Sequence, residues 1–70
     1  MKENDEIIHK ALRELGLLGK INLDHIKALY NMIIKNFKYL NNREPNREER
    51  YALALLAIDE TMLKLGYLII

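Results

Sequence analysis

The chain has 70 residues, 11 basic and 10 acidic side chains, no cysteine and a formal net charge of +1. A chain of this length forms one small domain with a thin core. The absence of cysteine excludes disulfides and thiolate metal sites, and the balance of charge gives no overall attraction to nucleic acid or to a membrane surface. Half of the residues are hydrophobic, which is high for a lone domain of this size and indicates an apolar contact with another molecule.

The first helix is predicted over about residues 5–15. Asn4 suits the N-cap position, where a side-chain oxygen accepts a backbone N–H. Gly16 suits the left-handed C′ position that ends many helices, and Leu17 and Leu12 then have the spacing of a Schellman contact. The apolar residues at helical spacing, which predict the buried stripe, are Ile8, Ala11, Leu12 and Leu15, with Ile7 at the edge.

The second helix is predicted over residues 23–41, with Asn22 as its N-cap. Its main apolar stripe consists of Ile26, Leu29, Tyr30, Ile33, Phe37 and Leu40, and Ile34 widens it. A further apolar group lies on another side of the helix and comprises Ala28, Met32 and Tyr39. A helix that is apolar on more than one side is expected to be buried on more than one side.

The third helix is predicted over residues 47–65, after a linker that contains Pro45. Asn46 and Glu49 have the spacing of a capping box, and Gly66 suits the C′ position. Residues 51–58 (YALALLAI) alternate as a strand would, but alanine and leucine favour helix and the helical period continues to Leu65. The sequence therefore predicts an all-α, three-helix up-down bundle in one domain, followed by a short apolar tail over residues 66–70.

No catalytic constellation is found in the sequence. His9 and His25 do not form a metal-binding pair, and we expect His9 to pair with Asp5, four residues earlier. Adjacent carboxylates on a helix diverge by about 100° and do not converge on one ion or proton. Serine is missing and Thr61 is the one threonine, so hydroxyl nucleophiles are almost unavailable. We predict a protein that is not an enzyme and that needs no metal or cofactor.

Positive charge is concentrated in residues 20–43, which carry five basic side chains and one acidic side chain. Four polar residues along one face of the second helix are candidate nucleic-acid contacts: Lys27, Asn31, Lys35 and Lys38. Such a face could lie against phosphates. We weigh this against a simple solvated face, which we favour because the helix carries no arginine and the flanking segments are acidic.

The sequence thus predicts a non-catalytic interaction module that self-associates, as a symmetric homodimer, or binds a partner protein. The interface is expected to comprise Tyr51, Leu55, Leu56, Tyr67, Leu68, Ile69 and Ile70. The alternative is a small nucleic-acid-binding protein that uses the second helix. The polar N-terminus does not resemble a targeting peptide, and no apolar run approaches the roughly 20 residues of a membrane span, so the expected location is the cytoplasm.

Overall fold

A computed structural model describes residues 2–65 of the chain. Within this range the protein folds into three helices, α1 (Lys2–Glu14), α2 (Leu23–Asn41) and α3 (Arg47–Leu65), and no strand is found there. The all-α three-helix architecture is therefore confirmed, and the alternating residues 51–58 are helical. The predicted cap at Gly66 and the tail that follows it lie outside the described residues.

Helix α3 packs along both other helices, whereas α1 and α2 contact each other less. The starts of α1 and α3 lie side by side, because Arg50 donates to Asn4 at 2.9 Å and Arg47 lies 3.6 Å from Glu3. Helix α2, which lies between α1 and α3 in the sequence, runs antiparallel to both. Short connections favour antiparallel neighbours.

The core is formed by apolar side chains from all three helices. Ala54 and Ala57 of α3 are fully buried, and their small side chains let the neighbouring helices approach closely. Thr61 is also fully buried, and its hydroxyl donates to the backbone carbonyl of Ala57 at 2.9 Å. The remaining buried apolar residues are Ile7, Ile8, Ala11, Leu12, Ile21, Ile26, Tyr30, Ile34 and Ile58.

Two of the three predicted N-caps, at Asn22 and Asn46, are confirmed. The Asn22 side chain accepts hydrogen bonds from the backbone N–H groups of Asp24 at 2.9 Å and His25 at 3.3 Å. Asn46 and Glu49 bond reciprocally, each side chain accepting the other's backbone N–H at 2.8 Å. Both devices satisfy donors that the first turn of a helix leaves without intrahelical partners.

The predicted Schellman cap at the end of α1 is also confirmed. Gly16 has a φ of +72°, a left-handed conformation that glycine adopts without a Cβ clash. The N–H of Leu17 donates to the carbonyl of Leu12 at 2.9 Å, and the N–H of Gly16 donates to that of Arg13 at 3.1 Å. This pair of bonds is the pattern that defines the motif.

The start of α1 was predicted wrongly. The helix begins at Lys2 rather than near Asp5, so Asn4 lies inside it and is not its N-cap. The side chain of Asn4 does not cap α1; it accepts hydrogen bonds from Tyr30 of α2 and Arg50 of α3.

Two leucines that the sequence placed on buried stripes are exposed. Leu40 is 77% exposed, because it lies six residues after buried Ile34, which places it about 240° further around the helix. Leu15 is 50% exposed, because α1 has already ended at Glu14 and the chain turns away there. Ile7, predicted at the edge of the stripe of α1, is buried in its place.

Candidate functional site

A partly buried polar cluster joins the three helices. Asn4 Oδ1 accepts hydrogen bonds from Tyr30 Oη at 3.0 Å and Arg50 Nη1 at 2.9 Å. Arg50 also donates to the Pro45 carbonyl and to Glu44, each at 3.1 Å. Burial raises the pKa of Tyr30, although the Arg50 guanidinium opposes that rise. The tyrosine hydroxyl therefore remains a proton donor at neutral pH.

This cluster was not predicted from the sequence, although one signal for a polar side chain among the buried residues of α1 was present. Asn4 lies four residues before Ile8, which puts a polar side chain on the buried stripe of α1. Among the described residues, no buried side-chain nitrogen or oxygen lacks a hydrogen-bond partner. Because the partners are groups of the protein itself, the role of the cluster is to hold the helices together.

A different region offers a surface to other molecules. A groove of about 610 Å³ runs between the end of α1 and the middle of α3, and we call it the apolar groove. Its apolar wall includes Leu15 at 50% and Leu56 at 47% exposure. The lining residues are Leu15, Leu17, Ala52, Leu55, Leu56 and Met62, together with buried Ile58 and exposed Asp59.

The structure brings together only some of the residues predicted for the interface. Leu55 and Leu56 both line the apolar groove. Tyr51 does not line it: its ring lies beneath Lys10, whose amine is 5.4 Å from the ring centroid, and its hydroxyl bonds to Glu14. That bond, with partial desolvation, raises the pKa of Tyr51. The other predicted interface residues, Tyr67, Leu68, Ile69 and Ile70, lie outside the described residues.

The outer face of α2 carries a second group of exposed apolar side chains. Met32 is 55%, Tyr39 is 83% and Leu40 is 77% exposed. Burial of α2 on more than one side, which the sequence predicted, does not occur within the described monomer. Since these residues lie on a convex helix face and line none of the grooves described here, they are weaker candidates for a docking surface.

The predicted basic face of α2 is partly neutralised. Lys27 pairs with Asp5 at 3.4 Å and Lys38 pairs with Glu44 at 3.2 Å. Both pairs remain open to solvent, so each restrains a lysine only weakly. Among the ion pairs of the described residues, Asp5 pairs with Lys27 and not with His9, so the predicted pairing with His9 was wrong.

The other two candidate nucleic-acid contacts, Asn31 and Lys35, are exposed and share a polar cleft of about 360 Å³. The side chains that line this cleft have mixed charge, namely Glu3, Asn4, Asn31, Ile34, Lys35, Lys38, Glu44 and Arg50. Two carboxylates therefore accompany its cations, which makes the cleft a poor match for a run of phosphates.

Residues 2–65 contain no group of three or more His, Asp or Glu side chains placed to hold a metal ion. Across the same range, none of the helices has both the length and the apolar character needed to cross a membrane. Comparison of the whole chain with protein-family models, with curated proteins and with solved structures gives no match in any of the three.

Proposed function

We propose that this protein is a non-catalytic helical interaction module that self-associates through the apolar groove. The observation that carries the proposal is the groove itself, in which Leu15 and Leu56 remain about half exposed beside Leu55 and Met62. Exposed apolar side chains gathered in one groove are a feature that contact sites share. A second copy is the favoured occupant because closed symmetric pairs are by far the commonest oligomers.

The exposed area of the groove favours a weak association. Full burial of a leucine side chain contributes about 1.5–3 kcal/mol, so two half-exposed leucines on each copy recover about 3–6 kcal/mol. The loss of translational and rotational freedom on association costs an estimated 4–15 kcal/mol. The other apolar lining atoms must supply the difference, and we expect a dimer that dissociates on dilution.

Nucleic-acid binding by α2 is the second candidate, and it has less support. Lys27 and Lys38 each pair with a carboxylate. Binding to phosphate would have to compete with those pairs, although they are exposed and weak. Lys35 has no carboxylate within ion-pairing distance among the described residues, and it is the side chain on which this candidate chiefly rests.

Sedimentation equilibrium over a wide range of concentrations tests the proposal. We expect the average mass to rise above the monomer's 8.3 kDa as the concentration increases, and Leu56→Glu to abolish the rise. The matched control is Met32→Glu on α2, where the native side chain is similarly exposed. A mass of 8.3 kDa at every concentration, or equal effects of the two variants, would contradict the proposal.

A further inference from the structure

We propose that the polar cleft between the starts of α1 and α3 and the later part of α2 binds a small molecule that carries a single anionic oxygen group, either a carboxylate or a phosphate. Its volume of about 360 Å³ lies near the lower end of the range for ligand pockets, which suits a small molecule rather than a polymer. The cleft and the apolar groove share no lining residue, so this inference does not depend on the proposed self-association.

The charges that line the cleft leave it one negative charge short. Its cations are Lys35, Lys38 and Arg50, and its carboxylates are Glu3 and Glu44. Glu44 already accepts hydrogen bonds from Lys38 at 3.2 Å and from Arg50 at 3.1 Å. A ligand with one negative charge would bring the sum of the lining charges to zero.

Lys35 is the lining cation to which such a ligand has the freest access. No carboxylate of the described residues lies within ion-pairing distance of its amine. The second carboxylate of the cleft, Glu3, lies 3.6 Å from Arg47, which is not part of the lining. An anion that approaches Lys35 therefore gains a partner without breaking an ion pair of the protein.

Arg50 provides a second cation, which is already held in place. Its guanidinium donates to the Asn4 side chain at 2.9 Å, and to the Pro45 carbonyl and Glu44 at 3.1 Å. The guanidinium has more N–H donors than these bonds use, and the side chain keeps 17% of its surface exposed. Because the arginine is ordered before a ligand arrives, binding costs little further side-chain entropy.

Two amide side chains add hydrogen-bond donors to the lining. The Asn4 oxygen accepts from Tyr30 and Arg50, and its amide nitrogen makes no hydrogen bond within the described part of the chain. Asn31 is exposed, so its amide is open to a ligand. Both oxygens of Glu44, by contrast, are already accepting hydrogen bonds. The unused groups are thus mainly donors, which favours an anion with several oxygen atoms over a cation.

An NMR titration of the isotopically labelled protein tests the inference. Sodium phosphate and sodium acetate are added separately, with the ionic strength held constant by sodium chloride. We expect the amide signals around Asn31 and Lys35 to shift and to saturate, with a Kd in the millimolar range for these bare anions. Tighter binding of phosphate identifies the group as a phosphate, tighter binding of acetate identifies a carboxylate, and either supports the inference. Shifts that never saturate, or that spread evenly over the surface with both anions, would overturn it.

Two substitutions with opposite expected effects locate the site. Lys35→Gln should weaken binding about tenfold, because it removes the free cation. Lys64→Gln is the matched control, since Lys64 is an exposed lysine in the last turn of α3 and does not line the cleft. Glu44→Gln should strengthen binding, because it removes the carboxylate that competes for Lys38 and Arg50, and damage to the fold would not produce that gain. Equal effects of the two lysine variants, or weaker binding by Glu44→Gln, would overturn the inference.

A further variant distinguishes the cleft from the basic face that the nucleic-acid candidate uses. Lys27 belongs to that face but does not line the cleft. Lys27→Gln should therefore leave the affinity for phosphate and acetate unchanged. If it weakens anion binding as much as Lys35→Gln does, the anions bind along the whole face of α2 and the inference is overturned.

Discussion

Replacement of Asn4 by alanine should destabilise the protein, although helix propensity alone predicts the opposite. Alanine is the better helix former by up to about 0.7 kcal/mol, and Asn4 lies within α1. The substitution, however, removes the oxygen that accepts hydrogen bonds from Tyr30 and Arg50.

The magnitude depends on which donor is left without an acceptor. Tyr30 is buried, and an unsatisfied buried donor costs about 1–3 kcal/mol. The side chain of Arg50 is 17% exposed, and it can hydrate the nitrogen that loses its partner. After subtraction of the gain in helix propensity, we expect a net loss of about 1–2 kcal/mol in the free energy of unfolding. For a domain of this size that lowers the melting temperature by about 4–16 °C.

Urea unfolding followed by circular dichroism, at one fixed protein concentration, measures this loss. Tyr30→Phe alone should cost about 0.5–1.5 kcal/mol. The double variant should cost less than the sum of the single variants, because phenylalanine has no hydroxyl to leave unsatisfied. Asn36→Ala is the control, since Asn36 is exposed in the middle of α2 and should respond only to helix propensity. Additive single effects, or an Asn4→Ala that behaves like Asn36→Ala, would refute the reasoning.

Three further predictions concern acid stability, the core and the basic face. Hydrogen bonds from Arg43 and from the Asn46 backbone lower the pKa of Glu49 from 4.5 to about 2. The ionised carboxylate therefore stabilises the fold above pH 4.5, and this contribution disappears as the pH falls toward 2. In an acid titration, Glu49→Gln should lose less stability than the native chain over that range. Ile58→Ala should cost about 2–5 kcal/mol in chemical unfolding, and Leu55→Ala should cost less, because Ile58 is fully buried and Leu55 only partly so. Any retardation of DNA in a mobility-shift assay should fade as salt is raised, and it should be lost when three lysines are replaced by glutamine, namely Lys27, Lys35 and Lys38.

The helix ends could be predicted well from the sequence because capping is local. Asn22, the Asn46–Glu49 pair and Gly16 each act within a few residues of their own position. Their chemistry therefore does not depend on how the helices pack. The error at Asn4 has the opposite cause, since its partners are 26 and 46 residues away in the chain, and nothing near it in the sequence indicates them.

The apolar groove could be predicted only in part. Helical periodicity identifies Leu55 and Leu56 as apolar side chains on different sides of α3, but it does not say how much of α3 the other helices cover. That depends on where α1 ends and how the following turn packs, which are properties of the folded bundle. The exposure of Leu15 and the contribution of Leu17 to the groove could not be read from periodicity for the same reason.

The end of α1 explains where one wall of the groove lies. Helix α1 has 13 residues and α3 has 19, a difference of about 9 Å in length. Because the two helices begin side by side, where Arg50 contacts Asn4, the end of α1 lies beside the later part of α3, and Leu15 and Leu17 of the turn that follows α1 line the groove there. A protein that needed only its monomeric core could place polar side chains there at little cost. The chain instead has Leu56 and Met62 beside the exposed Leu15, and an apolar wall at this place favours a contact with a second molecule.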